Sequence, residues 1–95
     1  MPAYVIVRVD VTDMDTYKEY TKHTPATVEQ YGGKFIVRGG DVTVLEGENE
    51  TRRVVILEFD TVEAATAWYH SPEYQSAKSI RVNAADAQFI VIDGV

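Results

Sequence analysis

Four polar residues are the side chains best suited to chemistry on a small molecule: Arg38, Glu58, Tyr74 and Arg81. An arginine in a partly dry cavity can hold a carboxylate or an enolate, and a neighbouring glutamate can act as a general base. A structural interpretation competes with this one. In it, Arg38 and Glu58 neutralise each other across adjacent strands, while Tyr74 and Arg81 fasten the second helix to the sheet.

The two histidines, His23 and His70, carry a weaker signal. They are far apart and have no ligand-like spacing to an acidic residue, so we expect no metal site and no cofactor. His70 directly precedes a helix cap, and we expect it in solvent. His23 on the first helix either reaches the mouth of a cavity, where it would carry protons near neutral pH, or is a surface residue.

An aromatic set on the helices has two interpretations. It consists of Tyr17, Tyr20, Tyr31, Trp68 and Tyr69. These rings could line a pocket for an aromatic ligand. Alternatively Trp68, Tyr17 and Tyr31 belong to the core, because a small domain relies on its largest apolar side chains.

Length and composition limit the classes of function. The chain has 95 residues, 45% hydrophobic and 25% charged, which suits one folded domain over residues 1–95. A net charge of −6 repels phosphates, so we expect neither nucleic acid nor a membrane as partner. No cysteine is present, which excludes disulfides and thiolate catalysis. The first residues contain neither a basic leader nor an apolar signal segment, and we therefore expect a cytoplasmic protein.

Hydrophobic periodicity predicts a strand and then a long helix in the first third of the chain. Residues 4–11 alternate with a period of two, which is typical of a half-buried strand. Asp13 is a candidate helix N-cap, and Gly32-Gly33 a candidate helix end. Pro25 lies inside the helical pattern and predicts a kink rather than two helices. The predicted buried stripe is Met14, Tyr17, Thr21, Thr24, Val28 and Tyr31.

The rest of the chain predicts two further strands, a helix and a last strand. The second strand covers residues 34–38 and, after a break at Gly39-Gly40, resumes over 42–46; the third covers 53–59. A helix begins after Asp60-Thr61 and restarts at Ser71-Pro72, and the last strand covers 88–93. The order β-α-β-β-α-β predicts an α+β, ferredoxin-like fold (a split βαβ) with both helices on one face of an antiparallel sheet.

This topology leaves the other face of the sheet uncovered. On the first strand Val5, Val7 and Val9 are expected to meet the helices, so the residues between them point away. The expected members of the open face are Tyr4, Ile6, Arg8, Ile36, Arg38, Val54, Ile56 and Glu58. On the last strand, alternation does not settle whether Phe89 and Val91 or their neighbours face the helices. An apolar patch of this kind is most simply covered by a second copy, which predicts a homodimer through facing sheets.

Two blocks of sequence resemble a known family, the domain of unknown function 1330. The first block is GGKFIVRGG at residues 32–40 with LEG at 45–47, and the second is EF at 58–59, AA at 64–65, WYHSPEYQ at 68–75, Arg81 and DG at 93–94. The resemblance covers essentially the whole chain. It implies a dimeric α/β barrel, similar in fold to cofactor-free quinol monooxygenases, muconolactone isomerases and haem enzymes. Two positions depart from the family: Phe59-Asp60-Thr61 replaces the usual Phe-Pro-Ser, and His23 has no counterpart from which to infer a role.

Two functions therefore remain open. The first is binding of a small organic acid, phenol or lactone, with cofactor-free isomerase or monooxygenase chemistry as its extension. Arg38 would orient an anionic group, and Glu58 or His23 would accept a proton. The second is a non-catalytic dimeric accessory or interaction module. A paired acid and base in a wet cavity would favour the first, and an Arg38–Glu58 ion pair in a cavity too small for a ligand would favour the second.

Overall fold

The chain folds into an antiparallel sheet with all its helices packed on one face. The computed structural model describes residues 1–95. The elements are β1 Ala3–Val11, α1 Met14–Gln30, β2 Lys34–Arg38, β3 Arg53–Phe59, α2 Val62–His70, α3 Pro72–Arg81 and β4 Ala85–Asp93. The four strands lie in the order β2-β3-β1-β4. This arrangement confirms the predicted ferredoxin-like α+β fold.

The predicted faces of β1 are correct, and the register extends them to the other strands. Val5, Val7 and Val9 are buried beneath the helices. Val5 lies opposite Leu57 on β3 and opposite Val91 on β4. Phe89 and Val91 therefore face the helices, and Gln88, Ile90 and Ile92 belong to the open face. The register thus decides which side chains of β4 face the helices, which periodicity had left open. The strand itself begins at Ala85, three residues earlier than predicted.

The helix boundaries follow from side-chain caps. Asp13 accepts a hydrogen bond from the backbone N–H of Thr16 at 3.2 Å, and the Ser71 hydroxyl accepts one from the N–H of Tyr74 at 3.1 Å. Ser71 thereby separates α2 from α3. Pro25 is accommodated inside a single α1, as predicted. Because proline cannot donate to the carbonyl of Thr21, the hydroxyl of Thr24 donates to that carbonyl instead, at 3.4 Å.

The predicted stripe of α1 is shifted around the helix. Met14 is 52% exposed, whereas Tyr20, which the stripe omitted, is buried. Tyr17, Thr24 and Val28 are buried as expected. The helix therefore presents two tyrosines, three positions apart in the sequence, to the sheet and to α3.

The predicted continuation of the second strand over residues 42–46 is wrong. Residues 39–52 form no strand, and Leu45 is 95% exposed. The alternating Val42, Thr43 and Val44 have a strong local preference for β structure, but β3, the only neighbour of β2, begins at Arg53 and leaves this segment no strand to pair with. The segment is instead a loop, and it returns the chain to Arg53 at the start of β3.

The helices are all too short or too polar to cross a lipid bilayer. The longest, α1, has 17 residues and carries charged side chains along its exposed side.

Candidate functional site

The expected ion pair between Arg38 and Glu58 is not formed. The pairing of β2 with β3 shifts between Phe35 and Val37, so that Ile36 is an extra residue. Beyond this bulge the faces of β2 are exchanged, and Arg38 lies opposite Val55 on the helix side of the sheet. Its guanidinium carbon lies 4.5 Å from the centre of the Phe35 ring.

Glu58 lies on the other face of the sheet. It is opposite Lys34 in the register, and the Lys34 ammonium is 3.8 Å from its carboxylate. The prediction of a common face for Arg38 and Glu58 was wrong because alternation assumes an unbroken strand. The glutamate is consequently separated from the interior by the sheet itself.

A small cavity lies between the sheet and α1, and we call it the interior cavity. Its volume is about 40 Å³, which is room for about three water molecules. Fourteen residues line it: Val7, Val9, Tyr17, Tyr20, Thr21, Thr24, Val28, Phe35, Arg38, Arg53, Val55, Leu57, Trp68 and Phe89. Its polar groups are hydroxyls and two guanidinium groups. The lining includes neither a carboxylate nor a histidine.

Arg53 is a site residue that the sequence analysis missed. Its Nε is buried and has no hydrogen-bond partner. Gly39, with φ +73°, lies directly against its guanidinium, and a Cβ at that glycine would fall 2.4 Å from the guanidinium carbon. The available signal was the pair Arg52-Arg53 at the start of a strand, because alternation must place one of two consecutive residues on the helix side.

The Tyr20 and Tyr74 hydroxyls form a buried hydrogen bond with each other at 2.9 Å. Arg81 on α3 packs beside them, with its guanidinium carbon 5.7 Å from the ring centre of Tyr20 and 5.1 Å from that of Phe89. Arg81 is only 6% exposed, and its Nε has no hydrogen-bond partner. Tyr74 and Arg81 thus lie together, as expected, and both are deeply buried.

The buried tyrosines are hydrogen-bond donors rather than bases near neutral pH. Burial raises the pKa of Tyr17, Tyr20 and Tyr74 above the usual value of 10.0. At Tyr17 the positive charge of Arg53 opposes this effect of burial on the pKa. These hydroxyls therefore remain protonated, and the interior cavity has no group that would accept a proton at pH 7.

His23 does not line the interior cavity. It is exposed and borders a groove of about 310 Å³ on the outer side of α1 and α3, together with Gln30 and Glu73. His70 is also exposed, as expected, with its ring edge-on to Tyr69. Histidine and acidic side chains nowhere gather in a group of three that could hold a metal ion.

The open face of the sheet combines apolar side chains with a charged cluster. Ile36, Ile90 and Ile92 are 45%, 42% and 53% exposed. At one end Glu50, from the loop before β3, lies 3.1 Å from Nε of Arg8 and 3.2 Å from Nε of Arg52. The arginines on this side of the sheet therefore share an acidic partner.

Three solved structures show the same fold over nearly the whole chain. A protein of unknown function from Rhodopseudomonas palustris is 23% identical, with a TM-score of 0.78, and the match covers 99% of this chain and 82% of that one. A dimeric ferredoxin-like protein of unknown function from Jannaschia sp. CCS1 is 15% identical, with a TM-score of 0.72, covering 99% and 100%. SnoaB, a cofactor-independent oxygenase from Streptomyces nogalater, is 12% identical, with a TM-score of 0.71, covering 99% and 93%.

At these identities the similarity shows the fold alone. No functionally curated protein matches the sequence. A family model does match, over residues 2–95, and its description is domain of unknown function (DUF1330). The chain therefore belongs to this family, as the two sequence blocks indicated.

Proposed function

We propose that this member of the family is a homodimeric protein that binds a small organic acid or phenol between its sheet and its helices. The observation that carries the proposal is the state of three arginines. Arg38, Arg53 and Arg81 lie on the helix side, and none of them has an acidic partner within ion-pair distance. Arg53 and Arg81 each bury an Nε that has no hydrogen-bond partner, whereas Arg38 is exposed. Burying a charged group is costly unless it is paired, so an anion supplied by a ligand would account for the state of Arg53 and Arg81.

The geometry favours one mode of binding. The guanidinium groups of Arg38 and Arg53 border the interior cavity, and Phe35 and Val55 supply apolar walls beside them. A carboxylate or phenolate would accept hydrogen bonds from the arginines while its apolar part rests on these walls. A lactone would use its carbonyl oxygen in the same way.

Cofactor-free isomerase or monooxygenase chemistry would use the same arginines. A guanidinium stabilises the negative charge that forms on oxygen when a ligand is converted to its enolate. Neither of the expected proton acceptors, Glu58 and His23, borders the interior cavity, so the proton would pass to water. The site therefore supports binding more strongly than it supports turnover.

A second candidate function is a non-catalytic accessory module, and one observation favours it. The interior cavity of about 40 Å³ is far smaller than a typical ligand pocket of about 300–1,000 Å³. The absence of an Arg38–Glu58 ion pair points in the opposite direction, toward a ligand. Binding in the interior cavity would need Phe35 and the exposed Arg38 to move apart, and the experiment below separates the two functions.

The homodimer is proposed from the open face. Ile6, Val54 and Ile56 are only half-buried there, and the more exposed isoleucines of β4 extend the same surface. Two such sheets packed face to face would remove these side chains from water. The Jannaschia relative is described as dimeric, which is in keeping with this assembly. The lack of cysteine suits the reducing cytoplasm in which we propose that the protein works.

Calorimetric titration tests the ligand. Acetate, benzoate and salicylate would be compared with neutral benzamide, using the wild type and two neighbouring variants. We expect at least one acid to bind, benzamide not to bind, and Arg53→Met to weaken the acid about tenfold or more. Arg52→Met is the matched control, because it removes the same charge on the other side of the sheet. Failure of every acid to bind would favour the accessory module, and equal losses in both variants would show that the acid does not bind at Arg53.

Native mass spectrometry tests the dimer. The wild type is expected at twice the protomer mass, and Ile56→Asp at the protomer mass, because a charge would enter the sheet–sheet interface. Val82→Asp is the control: it places the same acid at an exposed apolar residue, 55% accessible, beyond the end of α3. A wild-type monomer, or dissociation by both variants, would contradict the proposed interface.

A further inference from the structure

A second and larger concavity opens at the β4 edge of the sheet, and we call it the edge cleft. It lies among α2, α3 and β4 and has a volume of about 520 Å³, against about 40 Å³ for the interior cavity. This volume falls within the range of small-molecule sites. The residues that concern its chemistry are Trp68, Tyr69, His70, Lys78, Arg81 and Phe89.

The edge cleft is locally cationic in an acidic protein. Lys78 and Arg81 line it, and none of its twelve lining residues is an aspartate or a glutamate. The chain as a whole carries a net charge of −6. Such a separation of charge favours an anionic occupant over a neutral or cationic one.

Arg81 supplies an observation that points to a ligand. The residue is 94% buried, no carboxylate pairs with it, and its Nε has no hydrogen-bond partner. Buried polar groups nearly always have a hydrogen-bond partner, and a bound ligand or water would complete the bonding of this arginine. Because Arg81 lines the edge cleft, an anion in the cleft would lie within reach of its guanidinium.

The apolar part of the edge cleft is aromatic. Tyr69 and Phe89 have their ring centres 5.5 Å apart, and Trp68 lies 6.3 Å from Tyr69. The Lys78 ammonium is 5.2 Å from the centre of the Tyr69 ring. A flat ring can stack on these aromatic side chains while an acid group on it meets Lys78 and Arg81.

We propose that the edge cleft is a binding site for a small aromatic carboxylate, whose acid group bonds to Arg81 and Lys78 and whose ring packs on Tyr69 and Phe89. The site is separate from the interior cavity and does not depend on it. Trp68 and Phe89 line both spaces and form the wall between them. The proposal therefore adds a second site to the proposed function: of the three arginines without an acidic partner, Arg81 lines the edge cleft, and Arg38 and Arg53 line the interior cavity.

The experiment is a titration with benzoate followed by ¹H–¹⁵N NMR spectra of the full chain. Saturable shifts are expected in amides around the edge cleft, at Thr66, His70, Lys78, Ala87 and Val91. Lys78→Met is expected to weaken benzoate about fivefold or more, and Arg81→Gln about tenfold or more. Lys18→Met is the matched control, because this lysine is exposed on α1 and lines none of the concavities described.

A blocking variant guards against a failure of Arg81→Gln to fold. Thr66 is exposed at the border of the cleft, and Thr66→Trp would fill the space while Arg81 itself is retained. We expect Thr66→Trp to abolish the shifts in the cleft. Persistence of those shifts in Arg53→Met would show that the edge cleft binds independently of the interior cavity.

Three outcomes would overturn the proposal. Saturable shifts confined to β2 and β3 would place benzoate in the interior cavity and leave the proposed function standing without a site in the edge cleft. Equal affinity for neutral benzamide would show that the cationic residues do not recognise the ligand. The absence of any saturable shift would reject benzoate binding at both sites.

Discussion

The arginines on the two faces of the sheet differ in whether they form ion pairs. On the open face Arg8 and Arg52 share the carboxylate of Glu50, at 3.1 and 3.2 Å. These side chains are partly in water, where an ion pair contributes little to stability and mainly fixes the loop that carries Glu50. The charges of the open face are therefore satisfied within the chain.

On the helix-covered face the arginines have no such partner. Arg38, Arg53 and Arg81 form no ion pair, and two of them keep a buried Nε without a hydrogen bond. Packing against the rings of Tyr20 and Phe89 compensates part of the cost of burying Arg81. This difference between the faces is the basis on which we propose ligands on the helix side.

The largest expected effect concerns the packing of the helix-covered face. Trp68 is 1% exposed, its ring centre is 4.4 Å from that of Tyr74, and its Nε1 donates to Thr27 at 3.1 Å. Trp68→Ala is expected to lower the free energy of unfolding by about 3–5 kcal/mol, measured by urea denaturation with circular dichroism. Ile56→Ala on the open face is the comparison. The decrease in unfolding free energy caused by Ile56→Ala should depend on protein concentration if a second copy covers that face. The same decrease at all protein concentrations would contradict the dimer.

Hydroxyls provide the next test of the contrast between the faces. Tyr20→Phe or Tyr74→Phe leaves the other buried hydroxyl unpaired, so each is expected to cost about 1–3 kcal/mol in urea denaturation. The double variant should cost less than the sum of the two, because it removes both members of the pair. Tyr4→Phe, on the open face, should be nearly neutral. A Tyr20→Phe variant as mild as Tyr4→Phe would show that the buried pair contributes nothing.

Two adjacent glycines sharpen the comparison at Arg53. Gly39 has φ +73° and contacts the guanidinium, whereas a Cβ at Gly40 would meet open space. Gly39→Ala is expected to cost about 1–2 kcal/mol from backbone strain and to weaken acid binding by displacing Arg53. Gly40→Ala should leave both the unfolding free energy and the affinity almost unchanged. Equal changes in unfolding free energy and in acid affinity for the two variants would show that Gly39 does not position Arg53.

The open face supplies the smallest expected effect. Hydrogen bonding from Arg52, with the charges of Arg52 and Arg8, lowers the pKa of Glu50 below its usual 4.5. Because the pKa of Glu50 is lower in the folded chain than in the unfolded chain, the ionised carboxylate stabilises the fold fully above pH 4.5. This contribution to stability is lost as the pH falls through the folded pKa. In thermal melts from pH 7 down to pH 3, the Tm difference between wild type and Glu50→Gln should therefore narrow. The exposed Glu48→Gln is the control, and a difference that does not change with pH would contradict the assignment.

The architecture could be predicted from the sequence because its signals are local. Alternation in β1, the Asp13 and Ser71 caps and the Gly32-Gly33 helix end each depend on a few consecutive residues. The open face of β1 and β3 followed from the same alternation. Family membership followed from two blocks of sequence at a fixed separation.

The candidate site was predicted only in part because it depends on contacts between distant segments. The bulge at Ile36 moves Arg38 to the helix side, and no residue type marks it, since the glycines that suggested a bulge lie beyond the strand. Val42–Glu46 has the composition of a strand but no neighbour to pair with. Arg53 could be identified as a candidate binding residue only from the folded chain, in which Gly39 packs against its guanidinium.

One measurement tests the central contrast most directly: the Nε–Hε signals of all five arginines, followed by NMR during a titration with benzoate. The account predicts saturable shifts for arginines on the helix-covered face, Arg38, Arg53 or Arg81, while Arg8 and Arg52 stay still. Shifts at Arg81 would identify the edge cleft, and shifts at Arg38 and Arg53 the interior cavity. Equal chemical-shift changes for all five signals, or saturable shifts only at Arg8 and Arg52, would contradict the proposal that the arginines without an acidic partner bind an anion.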